Sequence, residues 1–252
     1  DYLVIESTYG NRRHDATDPK AVLAAIINRT AARGGIILIP AFAVGRTQLL
    51  LYYLHELKAA KAIADIPVYV NSPMATQATT LFYNHVGEHR LNPALSKAVC
   101  ATAHYVASVE ESEALNRRRE PMILISASGM ATGGRVLHHL KVFAPDPRNT
   151  ILFSGFQAGG TRGASMLGGA EAVKIHGAYI PVRAEVAALD NLSAHADYSE
   201  ILDWLRHFAA PPRQTFITHG EPAAADALRH HIEEQLNWSC RVPDYLEEAS
   251  LE

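Results

Sequence analysis

The sequence predicts an α/β protein with parallel sheets. Short apolar runs bounded by glycine or proline alternate along the chain with longer segments of helical periodicity, and this alternation is typical of βαβ units. The 252 residues are 48% hydrophobic, which is enough for one large domain or two smaller ones. No apolar run approaches the roughly 20 residues that a membrane helix needs. We therefore expect a soluble, cytoplasmic protein without membrane contacts.

The chain up to residue 155 carries a series of strand and helix segments. "YLVIE" at 2–6 is an apolar run without a preceding turn, from which we expect the chain to be part of a longer protein. Asp18 and Pro19 have the residue types of an N-cap and a first helical residue, and Gly34 follows the end of the helical spacing. Further strands are predicted at "GIILIP", "IPVYV", "PMILISAS" and "NTILFSG", and further helices at "AVGRTQLLLYYLHELKAAKAI" and "GGRVLHHLKVF".

From residue 184 the strand and helix pattern occurs once more. "AEVAALDNLS" and "RQTFITHG" are predicted strands, and Asp197 with Glu200 forms a capping-box pattern for the helix between them. If the two strands are parallel neighbours, His195 and His219 lie together at their carboxyl edge, where α/β sheets bind ligands. Glu6 ends the first strand in the same way. These three side chains predict a site, and the alternative is that each is a satisfied polar residue at a strand end.

Charge and cysteine content narrow the class of protein. The net charge of -3 supplies no global field that would attract nucleic acid, so a polyanion would have to be held by a local basic cleft. The two cysteines, Cys100 and Cys240, have no CxxC partner, which argues against a disulfide framework or a cysteine zinc site and fits a reducing cytosol. The 13 histidines are the unusual feature of the composition.

Three short motifs give the chain a family resemblance. "ESTYG" at 6–10, "SAHAD" at 193–197 and "THGE" at 218–221 occur in this order and resemble motifs A, B and C of the β-CASP branch of the metallo-β-lactamase superfamily, which contains RNA-processing nucleases related to the polyadenylation cleavage subunit and to RNase J. "IPAFAVGRTQLLLYYL", "ISASGMATGGR" and "SGFQAGGTRG" also resemble family segments. The resemblance implies that residues 1–12 end a first metallo-β-lactamase segment, 13–183 form the β-CASP domain, and 184–252 form the C-terminal part of an αββα lactamase fold.

The resemblance also implies roles for the three site residues. His219 matches the motif C histidine, which ligates one of two zinc ions in the family's catalytic site, and a neutral imidazole suits zinc. His195 matches the motif B histidine, expected to be a general acid for the leaving oxygen or a phosphate contact. Glu6 matches the motif A acid, whose carboxylate would orient the ring of His195 and favour its protonated form.

The remaining zinc ligands of the family are not in this sequence. They come from an HxHxDH motif and further residues upstream of "ESTYG", and the chain contains no HxHxDH. We therefore expect a C-terminal fragment that lacks the N-terminal lactamase half, holds no complete two-zinc site and is inactive alone, although its full-length parent is a metal-dependent ribonuclease. The doublets His138-His139 and His230-His231 do not replace these ligands, because adjacent helical residues point in different directions, and both are predicted to lie on helix surfaces.

RNA contacts are predicted in the glycine-rich loops. "SASGMATGGR" lies between a strand and a helix, where free amides favour an anion, and the resemblance implies RNA-backbone contacts by Ser126, Ser128 and Gly129. A tight strand-to-helix turn is the alternative.

Basic residues in neighbouring loops are a second source of predicted RNA contacts. Arg46, Arg135 and Arg162 are expected to line a basic channel, whereas 117–119, three consecutive arginines, are interpreted as a solvated helix face. Tyr9 is a candidate for base stacking or for simple packing.

Three other functions compete with a zinc-dependent endo- or 5′-exoribonuclease. A non-catalytic RNA-binding or scaffold paralogue would share the same motifs. A small-molecule metallo-hydrolase is disfavoured because the large α/β insertion would roof its site. A Rossmann nucleotide-binding module lacks its glycine fingerprint. A lactamase core without its other half would also expose a sheet edge, so we consider a homodimer as a further expectation.

Overall fold

A computed structural model describes residues 1–251 of the chain. The chain forms two compact units. The split unit joins Asp1–Ala16 to the chain from Ser193 onward, and the continuous unit comprises Thr17–Leu192. The domain borders predicted after residues 12 and 183 fall somewhat earlier than these unit borders, and residue 252 of the predicted last segment lies outside the described residues.

The secondary structure follows the predicted alternation. The strands are β1 (Tyr2–Glu6), β2 (Ile37–Pro40), β3 (Val68–Asn71), β4 (His104–Tyr105), β5 (Ile123–Ser126), β6 (Thr150–Phe153), β7 (Ala172–Ile175), β8 (Ala178–Pro181), β9 (Glu185–Ala188), β10 (Gln214–Thr218) and β11 (Cys240–Arg241). The α-helices are α1 (Pro19–Ala32), α2 (Arg46–Ala59), α3 (Pro73–Asn84), α4 (Pro93–Cys100), α5 (Val109–Arg117), α6 (Val136–Phe143), α7 (Arg162–Leu167), α8 (Tyr198–Leu205) and α9 (Pro222–Leu236). Short 3-10 helices cover Val86–Glu88 and Asp190–Leu192.

The continuous unit is built on a parallel six-stranded sheet with the order β4-β3-β5-β2-β6-β9. Successive residues of β2 enter two different apolar clusters, with Ile37 and Ile39 on one face and Leu38 on the other. Residues of α1 and α2 belong to the first cluster, and residues of α6 belong to the second. Because helices cover both faces, the strands are continuous apolar runs rather than alternating ones. The predicted α/β class is confirmed.

The strand predicted from residue 184 belongs to a different sheet from the one we expected. β9 pairs with β6 from Thr150↔Glu185 to Phe153↔Ala188, whereas the neighbours of β10 are β1 and β11. Glu185, at the start of β9, forms ion pairs with Arg29 and Arg33 of the continuous unit. These contacts hold β9 in the six-stranded sheet, so the assumption that it lies beside β10 is wrong. The antiparallel hairpin formed by β7 and β8 was not predicted from the sequence.

The split unit is organised around a parallel three-stranded sheet with the order β1-β10-β11. Its core contains Ile5 of β1, Ile217 of β10, Leu202 of α8 and Leu228 of α9. α8 begins at the predicted capping box: the side chain of Asp197 accepts the first amides of the helix while the N3 carboxylate accepts the amide of Asp197. No helix within residues 1–251 is both long and apolar enough to cross a membrane.

His139 is an exception to the predicted surface position of the doublet His138-His139. Its ring is fully buried. The guanidinium of Arg135 donates to Asn71 Oδ1 at 2.7 Å and thereby orients the amide, so that Asn71 Nδ2 donates to His139 Nε2 at 2.7 Å. Nδ1 of His139 then donates to Asn116 Oδ1 at 2.6 Å. This network requires a neutral ring, and burial lowers the pKa of His139 to about 4.

Lowering the pH is therefore expected to destabilise the continuous unit. Between about pH 6.5 and about pH 4 the unfolded chain binds a proton at residue 139 and the folded chain does not. The free energy of unfolding should fall over this range by up to about 3 kcal/mol from this residue. Urea unfolding followed by circular dichroism at about pH 7 and about pH 4.5 measures the change.

Two variants isolate the contribution of this histidine. His139→Gln keeps amide donors and acceptors in the cavity but has no proton to bind, so its free energy of unfolding should depend less on pH than that of the wild type. His230→Gln, at an exposed position of α9, is the control that should retain the wild-type dependence. Equal pH dependence in His139→Gln and the wild type would contradict the assignment.

Candidate active site

The pairing of β1 with β10 places the first and third motifs side by side. Glu6, the last residue of β1, is the register partner of Thr218, the last residue of β10. The hydroxyl of Ser7 donates to the carbonyl oxygen of Thr218 at 2.8 Å, which continues the contact beyond the strands. His219 follows with a φ of 56°, a left-handed turn that ends the strand. Glu6 and His219 therefore share the carboxyl edge of this sheet.

Two glycines of the motifs allow this close approach. A Cβ atom on Gly220 would lie 2.6 Å from the carbonyl oxygen of Ser7, and a Cβ atom on Gly10 would lie 2.2 Å from the carbonyl oxygen of Ala224. Both distances are too short for any side chain, and the obstructing atoms belong to the backbone. The glycines of "ESTYG" and "THGE" are thus required by packing.

His195 lies on the loop that precedes α8, and its ring faces Glu6. Nδ1 of His195 is 3.2 Å from Glu6 Oε1, and the ring centroids of His195 and His219 are 5.4 Å apart. Burial works to raise the pKa of Glu6, but the amide and hydroxyl of Thr8, together with the His195 ring, outweigh it and hold that pKa below its ordinary value. A carboxylate therefore faces the ring of His195 at neutral pH.

Thr8 connects the three predicted residues, and the sequence analysis did not single it out. Its amide donates to Glu6 Oε2 at 2.8 Å, and its hydroxyl donates to the carbonyl oxygen of His219 at 3.2 Å. The hydroxyl oxygen lies 3.3 Å from His219 Nδ1 and 3.4 Å from His195 Nδ1. The only available signal was its place inside "ESTYG", two residues after Glu6.

This network assigns the proton positions on both rings. The hydroxyl proton of Thr8 goes to a carbonyl, so Nδ1 of His219 carries a proton for the hydroxyl oxygen, and its Nε2 keeps a lone pair. Nδ1 of His195 likewise carries a proton toward Glu6. No hydrogen bond is recorded within residues 1–251 at Nε2 of either ring. Nε2 is therefore the atom of each ring that remains for a contact with a metal or a substrate.

Among the three site residues, His219 is suited to bind zinc, and Glu6 and His195 form a hydrogen-bonded pair beside it. Ligand atoms of Glu6, His195 and His219 lie within 4.8 Å of one another, and imidazole with carboxylate is a common zinc environment. Both Glu6 oxygens already accept hydrogen bonds, from Thr8 and His195. The lone pair on Nε2 of His219 fits a metal ligand, whereas Glu6 and His195 act on each other.

The loop predicted to bind RNA is held largely by its own hydrogen bonds. Ser126 is 1% exposed, and its hydroxyl donates to the carbonyl oxygen of Asn71 at 2.9 Å, so a phosphate contact by this side chain is ruled out by burial. The hydroxyl of Ser128 accepts the amides of residues 132 and 133 at 3.1 and 3.2 Å. Gly129 is buried, and a Cβ there would lie 3.0 Å from the ring of Phe42. The alternative of a tight turn accounts for much of this segment.

The three predicted arginines are all at least half-buried, and two of them hold loops together. The Arg135 guanidinium donates to the carbonyl oxygens of residues 106 and 107 at 3.3 and 3.1 Å. Arg162 donates to the carbonyl oxygen of residue 174 at 2.6 Å and to that of residue 131 at 3.2 Å. The Arg46 guanidinium packs against Gly155. Loop anchoring is the observed role of Arg135 and Arg162, and RNA contact by the three stays a prediction.

Tyr9 belongs to the packing of the split unit. Its ring is 2% exposed, so base stacking is excluded, and the packing alternative is correct. The second histidine doublet differs from the first, because His230 is exposed and His231 stacks on Tyr198 at 4.2 Å between centroids.

Two segments of the chain match models of known protein families. Residues 47–166 match the model of the Beta-Casp domain. Residues 179–243 match the model described as the Zn-dependent metallo-hydrolase RNA specificity domain. These segments cover "ISASGMATGGR", "SAHAD" and "THGE", the residues on which much of the resemblance rests.

Curated relatives are similar over nearly the whole chain. Ribonuclease TTHA0252 of Thermus thermophilus is 38% identical over 241 residues, which cover 90% of this chain and 53% of the relative. Transcription termination factor FttA of Pyrococcus abyssi is 34% identical over 99% of this chain and 40% of its own length. An RNase J-like protein of Methanocaldococcus jannaschii is 31% identical over 88% of this chain and 52% of its own length.

This chain spans about half the length of the curated relatives it matches, or less. The motif order, the parallel α/β fold and both domain matches agree with one another. The chain therefore belongs to the β-CASP branch of the metallo-β-lactamase superfamily.

Proposed function

We propose that the protein to which this chain belongs is a zinc-dependent ribonuclease that hydrolyses phosphodiester bonds in RNA. The observation that supports this most directly is the arrangement of Glu6, His195 and His219, with both reactive Nε2 atoms directed away from their Nδ1 contacts. The ribonuclease name of the Thermus relative and the RNA specificity description of the matched segment support RNA as the substrate.

His195 is the proposed general acid. The Glu6 carboxylate, 3.2 Å from Nδ1, accepts a hydrogen bond from the ring of His195. It also fixes the ring, so that Nε2–H projects from the site. As the phosphorus–oxygen bond of the RNA breaks, Nε2 gives its proton to the leaving oxygen. A contact between Nε2–H and a phosphate oxygen is the second proposed use of the same atom.

His219 is the proposed zinc ligand of this chain. A zinc ion there would supply Lewis-acid activation of water and of the phosphoryl group. Thr8 would act on His219 by accepting from Nδ1–H, which orients the ring and raises its basicity toward a metal. We propose that a second zinc and the remaining ligands belong to a lactamase half that this chain does not contain, since the sequence has no HxHxDH.

A non-catalytic RNA-binding protein is the second candidate. The FttA relative, 34% identical over 99% of this chain, is named as a transcription termination factor. A role in which RNA is bound and not cut would use the same fold. Zinc content and cleavage, measured together, separate the two candidates.

The chain alone is expected to cut no RNA. At the site of Glu6, His195 and His219 we assign a single zinc ligand, His219, and one protein ligand is too few for a tightly held catalytic zinc. We expect less than one zinc per chain after dialysis, and no cleavage of a labelled single-stranded RNA. Cleavage that survives purification and disappears in His219→Ala would contradict this expectation.

In the protein with its complete lactamase half, His195→Ala is expected to slow cleavage strongly without loss of metal. Loss of a general acid lowers kcat by about 10²- to 10⁴-fold, while the zinc content measured by atomic emission should stay at about two per chain. His219→Ala is the matched variant, and it should lose zinc as well as activity. Loss of zinc in His195→Ala would make that residue a ligand and would refute the acid assignment.

Glu6→Gln is expected to lower kcat by about 10- to 100-fold in the same protein. The amide keeps the shape of the carboxylate, but it carries no negative charge beside the ring of His195. Steady-state cleavage of RNA measures kcat and KM for the variant. An unchanged kcat would show that Glu6 has no influence on the reacting ring.

A homodimer through β1 remains a prediction. Within residues 1–251, β1 has a sheet neighbour on one side only, and its Val4 is 68% exposed. An apolar edge strand is a ready surface for strand pairing. Light scattering of the wild type and of Val4→Lys would measure the difference in mass.

A further inference from the structure

The chain that leaves β1 turns back to the loop carrying His195. Tyr9 forms a parallel bridge with Asp197, and the amide of Tyr198 donates to the carbonyl oxygen of Tyr9 at 3.2 Å. The ring of Tyr9 is buried and meets the ring of His14 edge-on, with centroids 4.8 Å apart. Residues 9–14 and 195–198 are therefore one packed structure within the split unit.

His14 contacts this loop at two points. Its amide donates to Asp197 Oδ2, and its Nε2 donates to the carbonyl oxygen of His195, both at 2.8 Å. A carbonyl oxygen can only accept, so Nε2 of His14 carries a proton. The side chain is 21% exposed, which limits competition from water for these hydrogen bonds. His14 thus holds the backbone of the residue whose ring faces Glu6.

Asp197 anchors the backbone of His14 to the loop that carries His195. It is 5% exposed, and its carboxylate accepts the amides of His14, Ser199 and Glu200 and the hydroxyl of Ser199. Burial works to raise the pKa of Asp197, but these hydrogen bonds outweigh it and hold that pKa below its ordinary value. The anchor is therefore charged and rigid at neutral pH.

His14, Asp197 and Glu200 are close enough together to hold a cation, but their donor atoms are already used. Both oxygens of Asp197 accept hydrogen bonds, and Nε2 of His14 donates to His195. Glu200 Oε2 accepts the amide of Asp197 at 2.9 Å. The cluster is a hydrogen-bonded anchor for the loop.

Both the backbone amide and the backbone carbonyl oxygen of His195 form hydrogen bonds to side chains. The hydroxyl of Ser193 accepts its amide at 3.2 Å, and His14 donates to its carbonyl oxygen at 2.8 Å. The ring depends on the backbone for its distance from Glu6, because residues 193–196 belong to no strand or helix. Small displacements of a reacting group reduce catalysis strongly.

We propose that His14 is a positioning residue of this site, which fixes the ring of His195 against Glu6 by holding the carbonyl oxygen of residue 195. The inference rests on the proposed function, because a fixed ring matters only if His195 acts on RNA. It adds a residue outside the three motifs, four positions beyond the end of "ESTYG", to the set that determines activity.

Three substitutions test the role of Nε2. The side-chain nitrogen of glutamine lies as many bonds from Cα as Nε2 of histidine, whereas that of asparagine lies as many bonds away as Nδ1. His14→Gln therefore keeps a donor that reaches the carbonyl oxygen of residue 195, and His14→Asn and His14→Ala do not. His231→Ala is the control, since His231 stacks on Tyr198 beside the anchor.

The first readout needs no catalytic activity. Imidazole ¹⁵N resonances of His195 are recorded in the present chain, with His195→Gln used for assignment. His14→Ala and His14→Asn should shift or broaden the His195 resonances, while His14→Gln and His231→Ala should leave them at their wild-type positions. Wild-type His195 resonances in His14→Ala would overturn the proposal, whether or not the protein cleaves RNA.

The second readout is cleavage by the protein with its complete lactamase half. His14→Ala and His14→Asn should lower kcat by about 10- to 100-fold with KM changed less than about threefold, and His14→Gln should recover to within about threefold of the wild type. A fall in melting temperature with unaltered kcat for the folded fraction, or no recovery in His14→Gln, would assign His14 a purely structural role. If the wild type cuts no RNA, the proposed function fails, and the resonance measurement still decides the role of His14.

Discussion

The candidate site depends on the parallel pairing of β1 with β10. These strands are separated by more than 200 residues, and Glu6 is matched to Thr218 in the register. Because side chains alternate between the two faces of a strand, a shift by one residue would turn Glu6 to the opposite face of the sheet. The register is fixed by Ile5 and Ile217, which are both in the core of the split unit. Packing of the apolar face thus determines where the polar groups meet.

Beyond the strand ends, the site is held by backbone contacts as much as by side chains. Gly220 and Gly10 let two turns approach other backbone segments at distances that a Cβ would prevent. The amide of Thr8 donates to Glu6, and its hydroxyl contacts His219. Thr8 therefore helps to orient both the ring of His219 and the carboxylate that faces His195. The first and third motifs therefore each supply a polar group of the site and the glycine that allows the backbone to place it.

The continuous unit shows how polar residues in glycine-rich loops are used for architecture. Arg135 donates to the amide oxygen of Asn71, so the amide nitrogen of Asn71 faces His139. Because that nitrogen is a donor, the ring of His139 has to accept from it and is therefore neutral. Ser128 accepts the loop amides that would otherwise be available to an anion. Carbonyl oxygens in irregular loops need donors, and an arginine guanidinium can serve several of them at once. A basic residue near a glycine-rich loop is therefore consistent with either a ligand contact or a structural role.

The sequence by itself determined the α/β class, the caps of α1 and α8 and the strand-end positions of Glu6 and His219, because apolar periodicity, capping patterns and short motifs are local properties. Only the tertiary structure decided that β9 joins the six-stranded sheet, that His139 is buried and that Ser126 is out of reach of a ligand. It also decided that Thr8 and His14 support the site. Strand partners and burial depend on contacts between residues far apart in the chain, and no local pattern records which of several compatible surfaces will meet.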